Sequence, residues 1–237
     1  MLIKTRAIVI SAIRYQEKSL IVKCFTQAAG LKSYFVYNAF SGGKSAQKIA
    51  YFQPLTILEI EAVHKNKGTL ETLREIKLAS TYNSINTNIV KTTILMFVSE
   101  MLHHSIREEE RNEDLFEFLE TSLHWLDHHD EVSNFHLILL MEVTKFLGFY
   151  PDISNVHQQF FEMTEGIFTE YHGLSCLSEH ETHLFKQLTS LRFSTGAKIF
   201  TGTDRQILLK ILLDYYSFHL EGFKRPKSLE VLKEVFS

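Results

Sequence analysis

The sequence has few of the residues that specialised small folds depend on. Its 237 residues include two cysteines, three prolines and ten glycines. Cys24 and Cys176 are far apart, and neither belongs to a CxxC motif or a Cys/His cluster, so the sequence indicates neither a disulfide framework nor a zinc site. The scarcity of proline and glycine favours long regular elements with few irregular loops. We therefore expect a protein of a reducing compartment, with the cytoplasm as its location.

Long apolar runs are also missing. No stretch approaches the roughly 20 apolar residues that span a membrane. The apolar run between Arg6 and Arg14 is too short for a signal peptide, and no small-residue cleavage site follows it. With 45% hydrophobic and 22% charged residues, the composition is that of a globular protein with one large domain or two modest ones.

The motifs of the common catalytic chemistries are absent from the sequence. The nearest phosphate-loop candidate, SGGKS at residues 41–45, has Asn38 where the first glycine of GxxxxGK[ST] would stand. The sequence has no GxSxG elbow, no Cys/His nucleophile setting and no carboxylate cluster of the nuclease type. We expect a protein that is not an enzyme, with an unrecognised metal site as the enzymatic alternative.

Two histidine pairs have the spacing of metal ligands on a helix. His124 and His128 are separated by four positions, and His180 and His183 by three. No HExxH motif or carboxylate box accompanies either pair, and both lie in polar stretches that are typical of exposed surface. We interpret them as surface residues and predict no metal site.

The net charge of −3 conceals two parts of opposite sign. Residues 1–80 contain twelve Lys and Arg against five acidic residues, a net charge of +7, whereas residues 81–237 contain 13 against 23, a net charge of −10. A split of this kind indicates that the first part faces a polyanion, although a solvated basic surface would produce the same count.

The first eighty residues have the period and composition of β-strands. Five short strands are predicted, over Thr5–Ile13, Leu20–Thr26, Leu31–Tyr37, Pro54–Val63 and Thr69–Leu78. Five such strands in an open sheet would leave exposed edges, whereas a closed Greek-key barrel of the OB type would not. The fold prediction is therefore α+β in two parts, with an OB-type β-barrel domain over residues 1–80.

Aromatic residues are interleaved with the basic residues of this domain. They are Tyr15, Phe25, Tyr34, Phe35, Tyr37, Phe40, Tyr51 and Phe52. Aromatic rings beside a cationic groove bind single strands by stacking on the bases. Core packing is the structural alternative, and strand alternation allows only about half of such a set to face outward.

From residue 81 onward the pattern becomes helical, which predicts an all-α domain over residues 81–237. Helices are predicted from Ile89, over Leu115–Leu126, Asn134–Leu147, Ser178–Leu188 and Asp204–Leu220, and after Ser228. Gly148 is expected to end the third of these, and Asp204 or Thr203 to cap the fifth. The segment 152–177 is predicted to be irregular.

Several segments, taken in order, resemble the RecO family of bacterial recombination mediators. The segments are TRAIVISAIR at residues 5–14, EKS at 17–19, GLK at 30–32, FLGFYP at 146–151 and KSLEVL at 227–232. Each motif alone is weak, but their order and spacing are specific, and the likeness extends from about residue 3 to residue 234.

The resemblance implies an OB domain, a helical domain and a set of DNA transactions. Members bind single- and double-stranded DNA, anneal complementary strands and contact single-stranded-DNA-binding protein. With RecR they help load RecA onto coated strands. The resemblance thus implies a DNA repair and recombination mediator, associated with the nucleoid. An RNA-binding or ribosome-associated OB protein without recombination activity is the alternative.

The sequence departs from the family pattern at two places. Many members carry a four-cysteine zinc module after the LGFxP motif, but residues 152–177 contain only Cys176. We predict that no zinc binds there and that Phe160, Phe161, Phe168 and Tyr171 form an apolar mini-core instead. Members often have a Lys-Gly-rich turn after the GLK motif, where this chain has Asn38, Ala39 and Phe40. We therefore expect the DNA contacts there to be weaker or shifted along the loop.

The helical part, being acidic, is expected to contact proteins rather than DNA. The tail of single-stranded-DNA-binding protein is acidic with an apolar end, so its receptor needs an apolar pocket with a basic rim. Arg205 and Lys210, on a helix rich in Leu and Ile, are the candidate residues, and a core helix with solvated ends is the structural alternative.

The predicted DNA contacts are basic residues of the barrel and of the loop at residues 41–48. They are Arg6, Arg14, Lys18, Lys32, Lys44 and Lys48. Phosphate contacts release condensed cations, so replacing Lys44 and Lys48 with alanine should lower the slope of log affinity against log salt by roughly one unit per lost contact. Titration of DNA binding at several salt concentrations measures this slope, and an unchanged slope would remove the loop from the site.

Overall fold

Strands occupy the first part of the chain and helices most of the rest. The computed structural model describes residues 1–40, 49–65, 70–107, 110–195 and 199–236. The chain divides into two compact units, residues 1–128 and residues 129–237. The division falls later than the change from strands to helices near residue 80, because two helices pack against the barrel. None of the described helices is long and apolar enough to cross a membrane.

Five strands of the first unit close into a barrel. They are β1 (Leu2–Tyr15), β2 (Ser19–Thr26), β3 (Gly30–Val36), β4 (Ile57–Val63) and β5 (Glu71–Leu78). Their order is β1-β2-β3-β5-β4, and β1 pairs with β4 to close the barrel. The pairing of β3 with β5 is parallel and the other pairings are antiparallel. The predicted OB-type barrel is thus confirmed.

Alternate residues of the strands fill the barrel interior. The buried set includes Ala7, Val9, Leu20, Val22, Cys24, Tyr34, Val36, Leu58, Ile60 and Ala62. Because successive side chains of a strand point to opposite faces, this set defines the inward face of each strand. Burial raises the pKa of the Cys24 thiol to about 12, so the thiol stays protonated at neutral pH and acts as a packing group.

Two helices cover part of the outside of the barrel. They are α1 (Ile89–Ser105) and α2 (Glu113–His128). The Ser99 hydroxyl of α1 donates to the carbonyl oxygen of Ile10 at 2.6 Å. Phe116 of α2 packs on Phe25, with ring centroids 6.2 Å apart. Ile10 and Phe25 therefore stay out of water only while these helices are in place.

A buried carboxylate ties α2 to the segment that leads into α1. Asp127 accepts hydrogen bonds from the backbone N–H groups of Asn83, Ser84 and Ile85, at 2.8–3.1 Å. The buried Lys91 ammonium donates to the Ser84 hydroxyl and to the Asp127 carbonyl. Burial alone would raise the pKa of the Asp127 carboxyl, but these N–H groups and the Ser84 hydroxyl outweigh it and lower the pKa below 3.8.

Replacing Asp127 with asparagine should destabilise the first unit. The amide loses the charge that these donors favour and turns its own N–H groups toward them, so the free energy of unfolding should fall by about 2 kcal/mol. Because the pKa is lower in the folded chain than in the unfolded chain, the stabilisation is present above about pH 4. It should be lost as the pH falls below 3.8.

Urea unfolding of wild type and of Asp127→Asn at several pH values measures this effect. Glu117→Gln, the same chemical change at an exposed position of α2, is the matched control. Equal stability of the Asp127 and Glu117 variants at pH 7 would contradict the account.

The second unit is helical with one small hairpin. Its helices are α3 (Phe135–Phe146), α4 (Glu179–Ser190), α5 (Gly202–His219) and α6 (Leu229–Val235). Gly148 follows α3 with φ +82°, as predicted for a residue that ends a helix. The predicted cap of α5 was wrong: Thr201 is the N-cap, and its hydroxyl accepts from the N–H of Asp204 while the Asp204 carboxylate accepts from the N–H of Thr201.

The segment 152–177, which was predicted to be irregular, contains two short strands. They are β6 (Phe160–Glu162) and β7 (Ile167–Thr169), and they pair as a hairpin. Phe161 and Phe168 are buried with ring centroids 4.9 Å apart, as expected of a mini-core. The prediction for Tyr171 was wrong, because its side chain is 82% exposed. Phe185 of α4 lies against Phe161 instead.

Candidate nucleic-acid interface

One side of the barrel carries interleaved charges of both signs. In the register of β1, β4 and β5, Lys4 lies beside Glu61, and Arg6 lies beside Glu59, which in turn is next to Lys77. The Lys4 ammonium is 3.2 Å from the Glu61 carboxylate. Because each cation has an acid as neighbour, this side offers little net attraction to a phosphate backbone.

The side formed by β1, β2 and β3 carries apolar and aromatic residues that are exposed or half-buried. Ile13, Ile21 and Phe35 are neighbours across the three strands. The Phe35 ring lies 5.6 Å from that of Tyr15 and 4.4 Å from that of Tyr37. Ile13 is 60% exposed, Tyr15 44% and Tyr37 69%. We call these five residues the aromatic face, a contiguous apolar surface of the kind that marks binding sites.

A change of pairing in β1 creates this face. The register between β1 and β2 shifts between Val9 and Ser11, and β1 pairs with β4 only as far as Ile8. The first half of β1 therefore lies within the closed barrel, whereas residues 11–15 extend past β4. Ile8 and Ile10 are buried in the first half, but Ile13 and Tyr15 in the second half face solvent.

Two of the predicted DNA contacts, Arg14 and Lys18, lie at the end of β1 that carries Tyr15, although strand alternation points the Arg14 side chain away from the side of Ile13 and Tyr15. The Arg14 guanidinium is 4.7 Å from the centre of the Phe40 ring and donates to the carbonyl oxygen of Glu17 at 2.9 Å. Lys18 is exposed in the turn between β1 and β2. A ring and a carbonyl orient the Arg14 side chain without neutralising it, so its charge remains available to an anion.

The other predicted contacts are not brought together with this face. Arg6 forms an ion pair of 2.6 Å with Glu120 of α2 and lies over the Phe116 ring. Lys32 lies next to Cys24 in the register of β2 and β3, on the inward side of β3. Lys44 and Lys48 lie outside the described residues. The Glu120 carboxylate thus offsets much of the attraction that Arg6 would have for a phosphate.

The structure shows which aromatic residues of the barrel are buried and which are exposed, a distinction that the sequence alone could not make. Phe25, Tyr34 and Phe52 are buried, whereas Tyr15 and Tyr37 are exposed. Sequence reasoning missed Ile13 and Ile21, because Ala7–Ile13 reads as one apolar run in which the register shift cannot be seen. The alternation of Ile13 with Tyr15, on the same side of the strand, was the available signal.

The two predicted partner contacts, Arg205 and Lys210, lie in different surroundings on α5. Arg205 donates to the carbonyl oxygen of Phe200 at 2.7 Å, and its guanidinium lies over the Phe236 ring. Lys210 lines an open cavity of about 330 Å³ together with Leu174 and Phe218. Lys210 thus has an apolar cavity beside it, whereas Arg205 serves the packing of its own helix.

The comparisons with known proteins agree with this geometry. A closed OB-type barrel with an exposed aromatic face places the first unit in a fold class that commonly binds oligonucleotides. Models described as Recombination protein O N terminal and Recombination protein O C terminal match residues 1–82 and 86–230. The chain belongs to the RecO family.

Full-length relatives support the same assignment. Proteins named DNA repair protein RecO are 68% identical in Flavobacterium psychrophilum, 65% in Flavobacterium johnsoniae and 41% in Christiangramia forsetii. Each match covers 100% of this chain and 100% of the relative.

The zinc module that the resemblance implies does not fit this chain. A structural zinc site needs four ligands, with cysteine the usual donor in modules of this kind. Residues 152–177 supply only one thiol, Cys176. Among the described residues no group of three or more His, Cys, Asp or Glu side chains could hold a metal. Aromatic packing of Phe161 and Phe168 occupies the hairpin interior.

We propose that the hairpin folds without zinc, and we expect less than one zinc per chain in metal analysis of the purified protein. Dialysis against a chelator should leave its melting temperature unchanged, whereas chelation destabilises proteins with structural zinc. Phe168→Ala should lower the stability of the second unit by about 3 kcal/mol, because it empties a packed aromatic site. Finding one zinc per chain would overturn the proposal.

Proposed function

We propose that this protein is a DNA repair and recombination mediator that binds single- and double-stranded DNA through the aromatic face and the cations beside it. Membership of the RecO family supports the repair and recombination role. The observation that carries the DNA-binding proposal is the exposure of Tyr15 and Tyr37 on a closed barrel, with Arg14 and Lys18 nearby. Such a protein would work at the nucleoid.

Stacking on this face explains binding that does not depend on sequence. Every base has a π-face, so rings such as Tyr15 and Tyr37 can stack on any of them, while Arg14 and Lys18 attract the phosphates. Stacking occupies the faces of the bases and leaves their pairing edges free. A strand held in this way can meet a complementary strand, and the proposal therefore includes annealing.

The proposal assigns the protein partners to the second unit. The acidic tail of single-stranded-DNA-binding protein would place its apolar end in the cavity beside Lys210. Two acids also line that cavity, but Asp214 forms an ion pair with Arg225, and the Glu181 carboxylate accepts hydrogen bonds from Ser178. Lys210, whose charge helps to lower the pKa of Glu181, is the cation of the described lining that a carboxylate of the tail would meet, in competition with Glu181.

The proposed role has no catalytic step. DNA strands would be bound, paired and, with RecR, made accessible to RecA, without breaking or forming a covalent bond. No cofactor is needed for such a role.

Replacing Tyr37 with alanine should weaken binding of a single-stranded oligonucleotide about tenfold, since each base–aromatic stack contributes about 1–3 kcal/mol. Because the Tyr37 side chain is largely exposed, the variant should fold normally. Fluorescence anisotropy with a labelled oligo-dT measures the affinity.

Annealing of complementary strands coated with single-stranded-DNA-binding protein, with and without RecR, measures the proposed function. The Tyr37→Ala variant should anneal these strands more slowly than wild type.

Tyr171→Ala is the matched control, because it removes an exposed tyrosine from the second unit. It should bind and anneal like wild type. If the Tyr37 and Tyr171 variants behaved alike, the aromatic face would not be the DNA site. If wild type failed to anneal coated strands with or without RecR, the mediator role would be wrong.

A further inference from the structure

The first unit contains a cavity of about 480 Å³ that none of the aromatic-face residues line. Two segments form its walls: residues 50–56, before β4, and residues 78–86, which begin with the last residue of β5. None of the described residues that line it is charged. The described lining therefore offers no formal charge that would attract a phosphate or a metal ion.

The lining combines aromatic rings with neutral hydrogen-bonding groups. The rings are those of Tyr51 and Tyr82, and the Tyr82 hydroxyl is fixed by donating to the carbonyl oxygen of Leu55 at 2.6 Å. The side-chain amides of Gln53 and Asn86 each offer both donors and an acceptor. Leu55 itself has φ +57°, a conformation that costs a leucine energy and that its buried side chain and its hydrogen bonds maintain.

One buried polar atom of this wall has no partner. The Ser80 hydroxyl oxygen is buried and makes no hydrogen bond within the described part of the chain. A buried hydroxyl left in this way costs free energy, which a ligand able to hydrogen-bond with it would recover. A purely apolar ligand would leave this hydroxyl unsatisfied.

A planar, neutral heterocycle with hydrogen-bonding edges matches every one of these features. Nucleobases are recognised in this way when unstacked, through stacking on aromatic rings and hydrogen bonds to their edges. We propose that the cavity receives one unstacked nucleobase of a single strand bound to the barrel. This inference rests on the proposed DNA-binding function and extends it from the face of the barrel to a pocket for a base.

The topology places the cavity and the aromatic face at the same end of the barrel. β1 ends at Tyr15, where β2 begins, and β3 ends one residue before Tyr37. β5 runs parallel to β3 and ends at Leu78, while β4 runs antiparallel to β5 and begins at this end. A strand that crosses the aromatic face thus reaches the barrel end where the cavity lies.

Filling the cavity tests the inference. Thr81 is an exposed residue of its wall, so Thr81→Trp should place an indole in the cavity without disturbing the core. The affinity for oligo-dT should fall about tenfold, the loss expected for one base. An abasic oligonucleotide of the same length should bind wild type and variant equally at low salt, because it has no base to insert. Thr121→Trp, at an exposed position of α2, is the matched control and should bind like wild type.

Photo-cross-linking to full-length protein locates the base directly. An oligonucleotide containing 5-iodo-deoxyuridine should cross-link to Tyr51 or Tyr82 in wild type and in Thr121→Trp, but not in Thr81→Trp. Cross-links at Tyr15 or Tyr37 should persist in all three. Cross-links confined to the aromatic face, or an unchanged oligo-dT affinity of Thr81→Trp, would overturn the pocket and leave the DNA-binding function intact. Absence of DNA binding by wild type would overturn both.

Discussion

The double pairing of β1 is the constraint on which the rest of the first unit depends. This strand pairs with β4 from Leu2 to Ile8 and with β2 from Ala7 to Tyr15, and its register with β2 shifts between Val9 and Ser11. The first half closes the barrel and lies under α1 and α2, where Ser99 reaches the Ile10 carbonyl. The second half extends beyond the closed part and exposes Ile13 and Tyr15. Closure of the core and exposure of the aromatic face thus have one structural cause.

Charge is distributed so that only part of the barrel is suited to a strand of DNA. On the side of β1, β4 and β5, acids such as Glu59 and Glu61 neutralise the neighbouring cations. Arg6 is paired with Glu120, so it holds α2 against the barrel rather than meeting solvent alone. Arg14 and Lys18 lie at the other end, beside the aromatic face, and the cavity between residues 50–56 and 78–86 opens at that same end. The overall negative charge of the chain is compatible with DNA binding because two cations, Arg14 and Lys18, lie at the end of the barrel that carries the stacking surface.

The sequence predicted well those features that local residue patterns determine, such as strands, helices and a helix end. It predicted poorly those features that depend on contacts between distant residues. Strand alternation identified the barrel, and helical periodicity identified the helices. Gly148 could be recognised as the end of a helix, because the positive φ at that position favours glycine. Thr201 was missed as the cap of α5, since several cap-forming residues follow one another there and only geometry selects one. Tyr171 was assigned to a core from which it is excluded, because composition does not show which side of a hairpin faces solvent. Counting basic residues could not show that Arg6 already has a partner 114 positions away in the chain.

Amide hydrogen exchange of the full-length protein, with and without a saturating oligo-dT, tests the central claim most directly. If single strands bind the aromatic face, exchange should slow in residues 11–23 and 33–40, while Lys4–Arg6 and the second unit should exchange at the same rate in both states. Protection confined to residues 129–237, or to the charged side formed by β1, β4 and β5, would contradict the account.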